Sequence, residues 1–117
     1  MAKILVIDDS SFQRKILRDI LESDSHSVIE AFDGEKGLEM IMDEKPNLIL
    51  LDHTMPEMTG RELLHNIKDK EIGIPIIMIT ADIQESSRDK SLELGAIAFI
   101  GKPVDENELK KLIQEYC

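Results

Sequence analysis

What this sequence is short of narrows its function before any motif is read. It has one cysteine, Cys117, so no disulfide can close within the chain. A lone thiol suits a reducing compartment, and Cys117 reads as incidental. No apolar run approaches the ~20 residues of a membrane span. The opening MAKILVIDD lacks a small-residue cleavage site, so it reads as a first strand rather than a leader. Basic residues are outnumbered 14 to 24, and a net charge of −10 would be repelled by a phosphate backbone. There is no His/Cys cluster of the kind zinc needs: His26, His53 and His65 are scattered and are expected on the surface. These absences point away from nucleic acid and membrane partners and toward a cytoplasmic protein.

What is present is one domain's worth of chain, 1–117, with 42% hydrophobic and 32% charged residues, the balance of a soluble globular fold. Apolar segments alternate with helical patterns. Strands are expected over 3–7, 27–32, 47–51, 75–80 and 96–101. Helices are expected over 10–23, 34–45, 60–70, around 83–94 and at the end of the chain. Phe12, Ile16, Leu17, Ile20 and Leu21 form the apolar stripe of the first helix, Leu63, Leu64 and Ile67 that of the third, and Leu109, Leu112, Ile113 and Tyr116 that of the last. Ser10 with Gln13, Thr59 with Glu62, Asp82 with Glu85 and Asp105 with Glu108 fit capping boxes. Met58 with Leu63 and Val104 with Leu109 fit hydrophobic staples. Nearly continuous apolar strands between helices mean an α/β fold, a doubly wound (βα)5 parallel sheet covered on both faces. The helix over 83–94 has few apolar residues and is weakly anchored.

Open parallel sheets bind ligands at the carboxyl ends of their strands. Here those ends are polar in four places: Asp8-Asp9, Asp52, Thr80 and Lys102-Pro103. Singly, each has an ordinary explanation as a helix-start acid, a turn former, a β-branched strand residue or a surface lysine. Together they do not. Each pair of carboxylates at ~4 Å and an effective dielectric of ~20 costs about 4 kcal/mol, a large part of a small domain's ~5–15 kcal/mol of stability. Lys102 can neutralise part of that charge and a bound cation more. Oxygen-only donors select a hard ion, Mg2+ above all.

Four motifs, VIDDS, LLDHTMPEMTG, MITA and FIGKP, stand in that order at the ends of strands one, three, four and five. With them the chain resembles, over essentially its whole length, a response-regulator receiver domain of the free-standing, CheY-like chemotaxis type. The resemblance implies the flavodoxin-like strand order 2-1-3-4-5, for which this family is itself the known example. It implies that Asp52 accepts the phosphoryl group and that Asp9 ligates Mg2+ directly. Asp8 would ligate the ion or hold its waters, and the backbone carbonyl of Thr54 would be the remaining protein ligand. Thr80 would bond the phosphoryl group through its hydroxyl, Lys102 would pair with Asp52 and then with phosphoryl oxygens, and a cis peptide would precede Pro103. Met55-Pro56 and Gly60 would shape the loop that presents Thr54. The implied donor is a phosphohistidine on a histidine kinase or a small acyl phosphate. Implied partners are a motility switch or its adaptor and a phosphatase, the protein being a monomer. Such a chain is a switch that promotes its own phosphorylation and dephosphorylation rather than an enzyme. Phe99 would rotate inward as Thr80 moves, remodelling the face built from the 83–94 helix, the fifth strand and the last helix. Thr54 and Asp82 occupy positions that tune dephosphorylation. Val104 stands where many relatives carry Phe, and Phe99 where chemotaxis relatives often carry Tyr; Phe cannot donate a hydrogen bond.

Other functions on this sheet are disfavoured by the residues. A flavin or nucleotide binder needs a Gly- or Ser/Thr-rich phosphate loop after strand one, and DDSSFQRK has two acids and no glycine; no G-x-x-x-x-G-K-[ST] occurs either. A phosphatase with an Asp nucleophile needs a second acid where DHT has none. Two further readings remain, a phosphorelay intermediate that passes the phosphoryl group on and a receiver-like interaction module that is never phosphorylated.

Overall fold

The structure, a computed structural model, describes residues 2–52, 60–70, 72–80 and 95–116. Five strands, β1 (Lys3–Ile7), β2 (Ser27–Ala31), β3 (Leu48–Asp52), β4 (Ile76–Thr80) and β5 (Ala98–Gly101), form one parallel sheet in the order β2-β1-β3-β4-β5. Four helices are described: α1 (Ser11–Ser23), α2 (Gly34–Glu44), α3 (Gly60–Asp69) and α4 (Glu106–Tyr116). The expected flavodoxin-like arrangement is therefore the one that forms. The helix expected over 83–94, the Asp82–Glu85 cap, Thr59, Met58 and Met55-Pro56 lie outside the described residues.

Side chains on a strand alternate between faces, and the two cores divide by that parity. Leu5, Ile7, Ile49, Leu51, Ile76 and Met78 pack with Ile41 of α2 and Leu63 and Ile67 of α3. Ile4, Val6, Leu48, Leu50, Ile77 and Ile79 pack on the other face with Leu17 and Leu21 of α1 and Leu109 and Ile113 of α4. Every residue of β3 is buried, which is why its sequence is a continuous apolar run rather than an alternating one.

Caps fix where the helices begin. Ser10 Oγ accepts from the Gln13 N–H at 3.1 Å, and Asp105 Oδ1 accepts from Asn107 at 2.9 Å and Glu108 at 3.3 Å. Val104 and Leu109 join the same core, as a staple requires. Asp33 caps α2 by accepting from Lys36 N–H at 2.7 Å. Lys36 stands where a capping box would have Glu or Gln, so the box pattern does not find this cap.

Four expectations need correction. Phe12 is 73% exposed rather than inward. It heads the row Phe12–Ile16–Ile20, beside the central row of Leu17 and Leu21, and that flanking row turns to solvent at its start. Tyr116, at the end of α4, is 40% exposed for the same reason, being past the last turn that the sheet covers. His26 is half-buried, and its Nδ1 accepts from the Ala2 N–H at 3.1 Å. The fifth strand is also shorter than expected and starts at Ala98, although Ile97 N–H leads into it by donating to Ile76 O at 2.8 Å.

Gly37 lets α2 lie close on β1. A Cβ there would meet Ile7 Cδ1 at 2.6 Å and Cγ1 at 3.0 Å, and Ile7 is fully buried. Alanine normally favours a helix over glycine by about 1 kcal/mol, whereas overpacking a core costs about 1–3 kcal/mol. Gly37→Ala is therefore expected to lower stability by up to about 2 kcal/mol in urea denaturation. A gain of the full helix preference would contradict this packing account.

Candidate functional site

The sheet's register builds the site. Ile7 of β1 lies opposite Leu51 of β3, so the next residues on the two strands, Asp8 and Asp52, come side by side. Both share the parity of the α1/α4 face. β1 and β3 are also where the chain reverses direction across the sheet, β2 lying to one side and β3 to the other. Asp8 is 1% and Asp52 4% exposed, the two buried charged residues among those described. Asp9, one residue on, is exposed. Carboxylate oxygens of Asp8, Asp9 and Asp52 all lie within 4.8 Å of one another.

Lys102, just past β5, reaches across to this cluster. Its Nζ lies 3.3 Å from Asp8 Oδ2 and 3.1 Å from Asp52 Oδ1. The Lys102–Pro103 peptide bond is cis. Asp8 Oδ1 accepts from the Ser10 N–H at 2.9 Å, an Asx turn that leads the chain from β1 into α1. Burial pushes the Asp8 carboxyl above its ordinary value, and the Ser10 N–H and Lys102 offset this only in part. Burial pulls the Lys102 ammonium down, but Asp52 and then Asp8 outweigh it and hold the group above its ordinary value.

The donor set fits a hard divalent cation. Three carboxylates against one ammonium leave two negative charges, which the two positive charges of such an ion balance. The donors are all oxygen, and the exposed side at Asp9 leaves room for the waters Mg2+ retains. Thr80 ends β4 opposite Gly101; its side chain lies outside the described set, as do Thr54 and Asp82. Phe99 sits on β5 opposite Met78, half-buried against the α2/α3 core. Motif reading did not find Arg14, whose Nη1 donates to the Asp8 carbonyl at 2.7 Å. No spacing rule signals a side chain bonded to a backbone carbonyl of the preceding turn.

A family model described as the response regulator receiver domain matches residues 4–114. The chain belongs to this family. As a receiver domain it is 36% identical over 116 residues to the chemotaxis protein CheY of Halobacterium salinarum, covering 98% of this chain and 97% of that protein. It is 45% identical over 105 residues to a protein-glutamate methylesterase/protein-glutamine glutaminase of Pyrococcus horikoshii, covering 86% of this chain but spanning only 28% of that relative's length. It superimposes with a TM-score of 0.92 on a chain from the CheX–CheY–BeF3–Mg2+ complex of Borrelia burgdorferi, at 32% identity, covering 97% of this chain and 87% of that one. Receivers are signalling switches of two-component systems and bind Mg2+ at an acidic pocket; the aspartate cluster is the pocket that could hold it here. No helix among the described residues is long and apolar enough to cross a membrane.

The direction of the Asp8 shift has a measurable consequence. A carboxyl raised by folding stabilises the fold only while protonated. That contribution is complete below its unfolded value near 3.8 and is lost as pH rises through the folded value. In metal-free buffer at pH 7, Asp8→Asn is therefore expected to melt above the wild type, with the gap closing toward pH 4. A melting temperature below wild type at pH 7 would show that the ionised Asp8 is not a net cost.

Proposed function

We propose that residues 1–117 act as one receiver unit in which Asp52 accepts a phosphoryl group from a histidine kinase. The observation that carries this reading is the placement of Asp52. It is buried at the end of β3, joined to Lys102 at 3.1 Å and clustered with Asp8 and Asp9. Bound Mg2+ would neutralise charge on the incoming phosphoryl oxygens, held by Asp8, Asp9, Asp52 and the Thr54 carbonyl. An Asp52 carboxylate oxygen attacks phosphorus in line, and the phosphorus–nitrogen bond of the donor phosphohistidine breaks. Its electron pair stays on the imidazole nitrogen, which takes up a proton. The product is an aspartyl phosphate, which water can cleave. A rigid sheet holds the nucleophile still, and Lys102 turns from the carboxylates toward the added oxygens, so positioning and electrostatics supply most of the acceleration.

In this reading the Thr80 hydroxyl takes a hydrogen bond from or to the phosphoryl group, and Phe99 follows by turning inward. The surface of β5, α4 and the segment 83–94 is then remodelled for a partner. Similarity to a chemotaxis protein over nearly its whole length favours a motility target or its adaptor as that partner. A phosphatase would shorten the signal. The setting is the cytoplasm.

The test is incubation with acetyl phosphate, with and without Mg2+, read as intact mass. One added phosphoryl mass that requires Mg2+ is expected. Should acetyl phosphate add nothing and beryllofluoride with Mg2+ also leave the melting temperature unmoved, the chain is an interaction module instead.

A further inference from the structure

Arg14 stands one turn into α1, and its guanidinium spans two elements. Nη1 donates to the Asp8 carbonyl at 2.7 Å, and Nε donates to Glu30 Oε1 of β2 at 3.1 Å. Glu30 is held from its other oxygen by Arg18 Nη1 at 2.5 Å. Arg14 and Glu30 side chains are 17% and 26% exposed, so this pair is mostly shielded from water. The carbonyl that Arg14 grips belongs to the peptide bond between Asp8 and Asp9. The N–H of Asp8 is fixed by Ala31 O at 3.1 Å and its carboxylate by Ser10 and Lys102. Asp9 has none of these supports: its side chain is exposed and has no hydrogen-bond partner among the described residues. Where the Asp9 carboxylate projects therefore depends on the plane of the Asp8–Asp9 peptide, and Arg14 holds that plane.

We propose that Arg14, locked by Glu30, is a positioning residue that aims Asp9 into the acidic cluster and so sets the affinity for Mg2+. The inference rests on the metal reading given above. It depends on the planar two-armed geometry of the guanidinium, which one ammonium does not reproduce. Charge alone predicts the opposite sign, because removing a cation near the site should favour binding of another cation. The two explanations thus separate cleanly.

The experiment is calorimetric titration of the full chain with Mg2+ alone, at a temperature where circular dichroism shows each variant folded. Arg14→Met is expected to bind Mg2+ about 10-fold more weakly than wild type, the low end for removing a group that orients a metal ligand. Arg18→Met removes the same unit of charge from the network without touching Asp8, and should bind no more weakly than wild type. Glu30→Ala should weaken binding, and Glu30→Ala combined with Arg14→Met should be no weaker than Arg14→Met alone. If Arg14→Met does not fold, Arg14→Lys, which keeps the charge and loses the fork, carries the test with the same expected direction. Arg14 variants that bind as tightly as wild type, or more tightly, overturn the inference while leaving the metal reading intact. A wild-type protein that binds no Mg2+ overturns both.

Discussion

Asp52→Asn is expected to take up no phosphoryl group from acetyl phosphate in Mg2+, a loss of at least about 100-fold. The amide removes the nucleophile and one of the three negative charges that would hold the cation. Neither remaining acid can substitute. Asp8 is buried and committed to Ser10 and Lys102, and Asp9 is exposed and has no ion pair with a lysine among the described residues. The loss is chemical rather than structural, because replacing a buried carboxylate relieves repulsion within the cluster. The variant should melt no lower than wild type in metal-free buffer. Intact mass after a short incubation reads the first outcome and thermal unfolding the second. Phosphoryl uptake undiminished in Asp52→Asn would move the acceptor elsewhere in the cluster.

The second large effect falls on stability. Lys102→Met leaves Asp8 and Asp52 facing each other at 1% and 4% exposure with their shared counter-ion gone. Removing one partner of a buried ion pair costs about 3–5 kcal/mol. Lys102 keeps some exposure, which places it at the low end, about 3 kcal/mol or roughly 10 °C in melting temperature. The pH dependence has a definite sign. A lysine raised above 10.5 by its carboxylates stabilises the fold fully below that value, and the contribution is lost as pH rises through the folded value. The gap between wild type and variant is therefore widest near neutrality. It narrows in strong alkali as Lys102 loses its proton, and in acid as the carboxylates gain theirs. Saturating Mg2+ should recover part of the loss by supplying the missing positive charge. A variant as stable as wild type at pH 7 without metal would mean that Lys102 does not neutralise the cluster.

Much of this site was legible because its parts are tied to strand ends. A continuous apolar run marks a strand buried on both faces, and the first carboxylate after it must lie at the sheet's edge. Asp8, Asp52 and Lys102 meet there as that logic requires, and strand parity puts Asp8 and Asp52 on one face. The strand order is different in kind: it came from family resemblance, since alternation of strands and helices leaves several parallel orders open. What escaped the sequence depends on tertiary approach. Phe12 fits a helical stripe by spacing, yet lies beyond the area the sheet covers. The bond from Arg14 to the Asp8 carbonyl joins a side chain to a backbone atom, and backbone atoms carry no sequence signal. His26 carries no pattern that sets it apart from the other two histidines, because the partner of its Nδ1 is a backbone atom, the Ala2 N–H. The roles of Thr54, Thr80 and Asp82 rest on motif alone, since those side chains fall outside the described set.

Residence of the phosphoryl group on the Asp52 carboxylate is tested at the atom concerned by reduction chemistry. Borohydride converts an aspartyl phosphate to homoserine but leaves free carboxylates untouched. After phosphorylation in Mg2+, reduction and proteolysis, peptide sequencing by mass spectrometry is expected to find homoserine at position 52 and aspartate at positions 8 and 9. Homoserine at position 8 or 9, or aspartate at all three after confirmed phosphoryl uptake, would contradict the account.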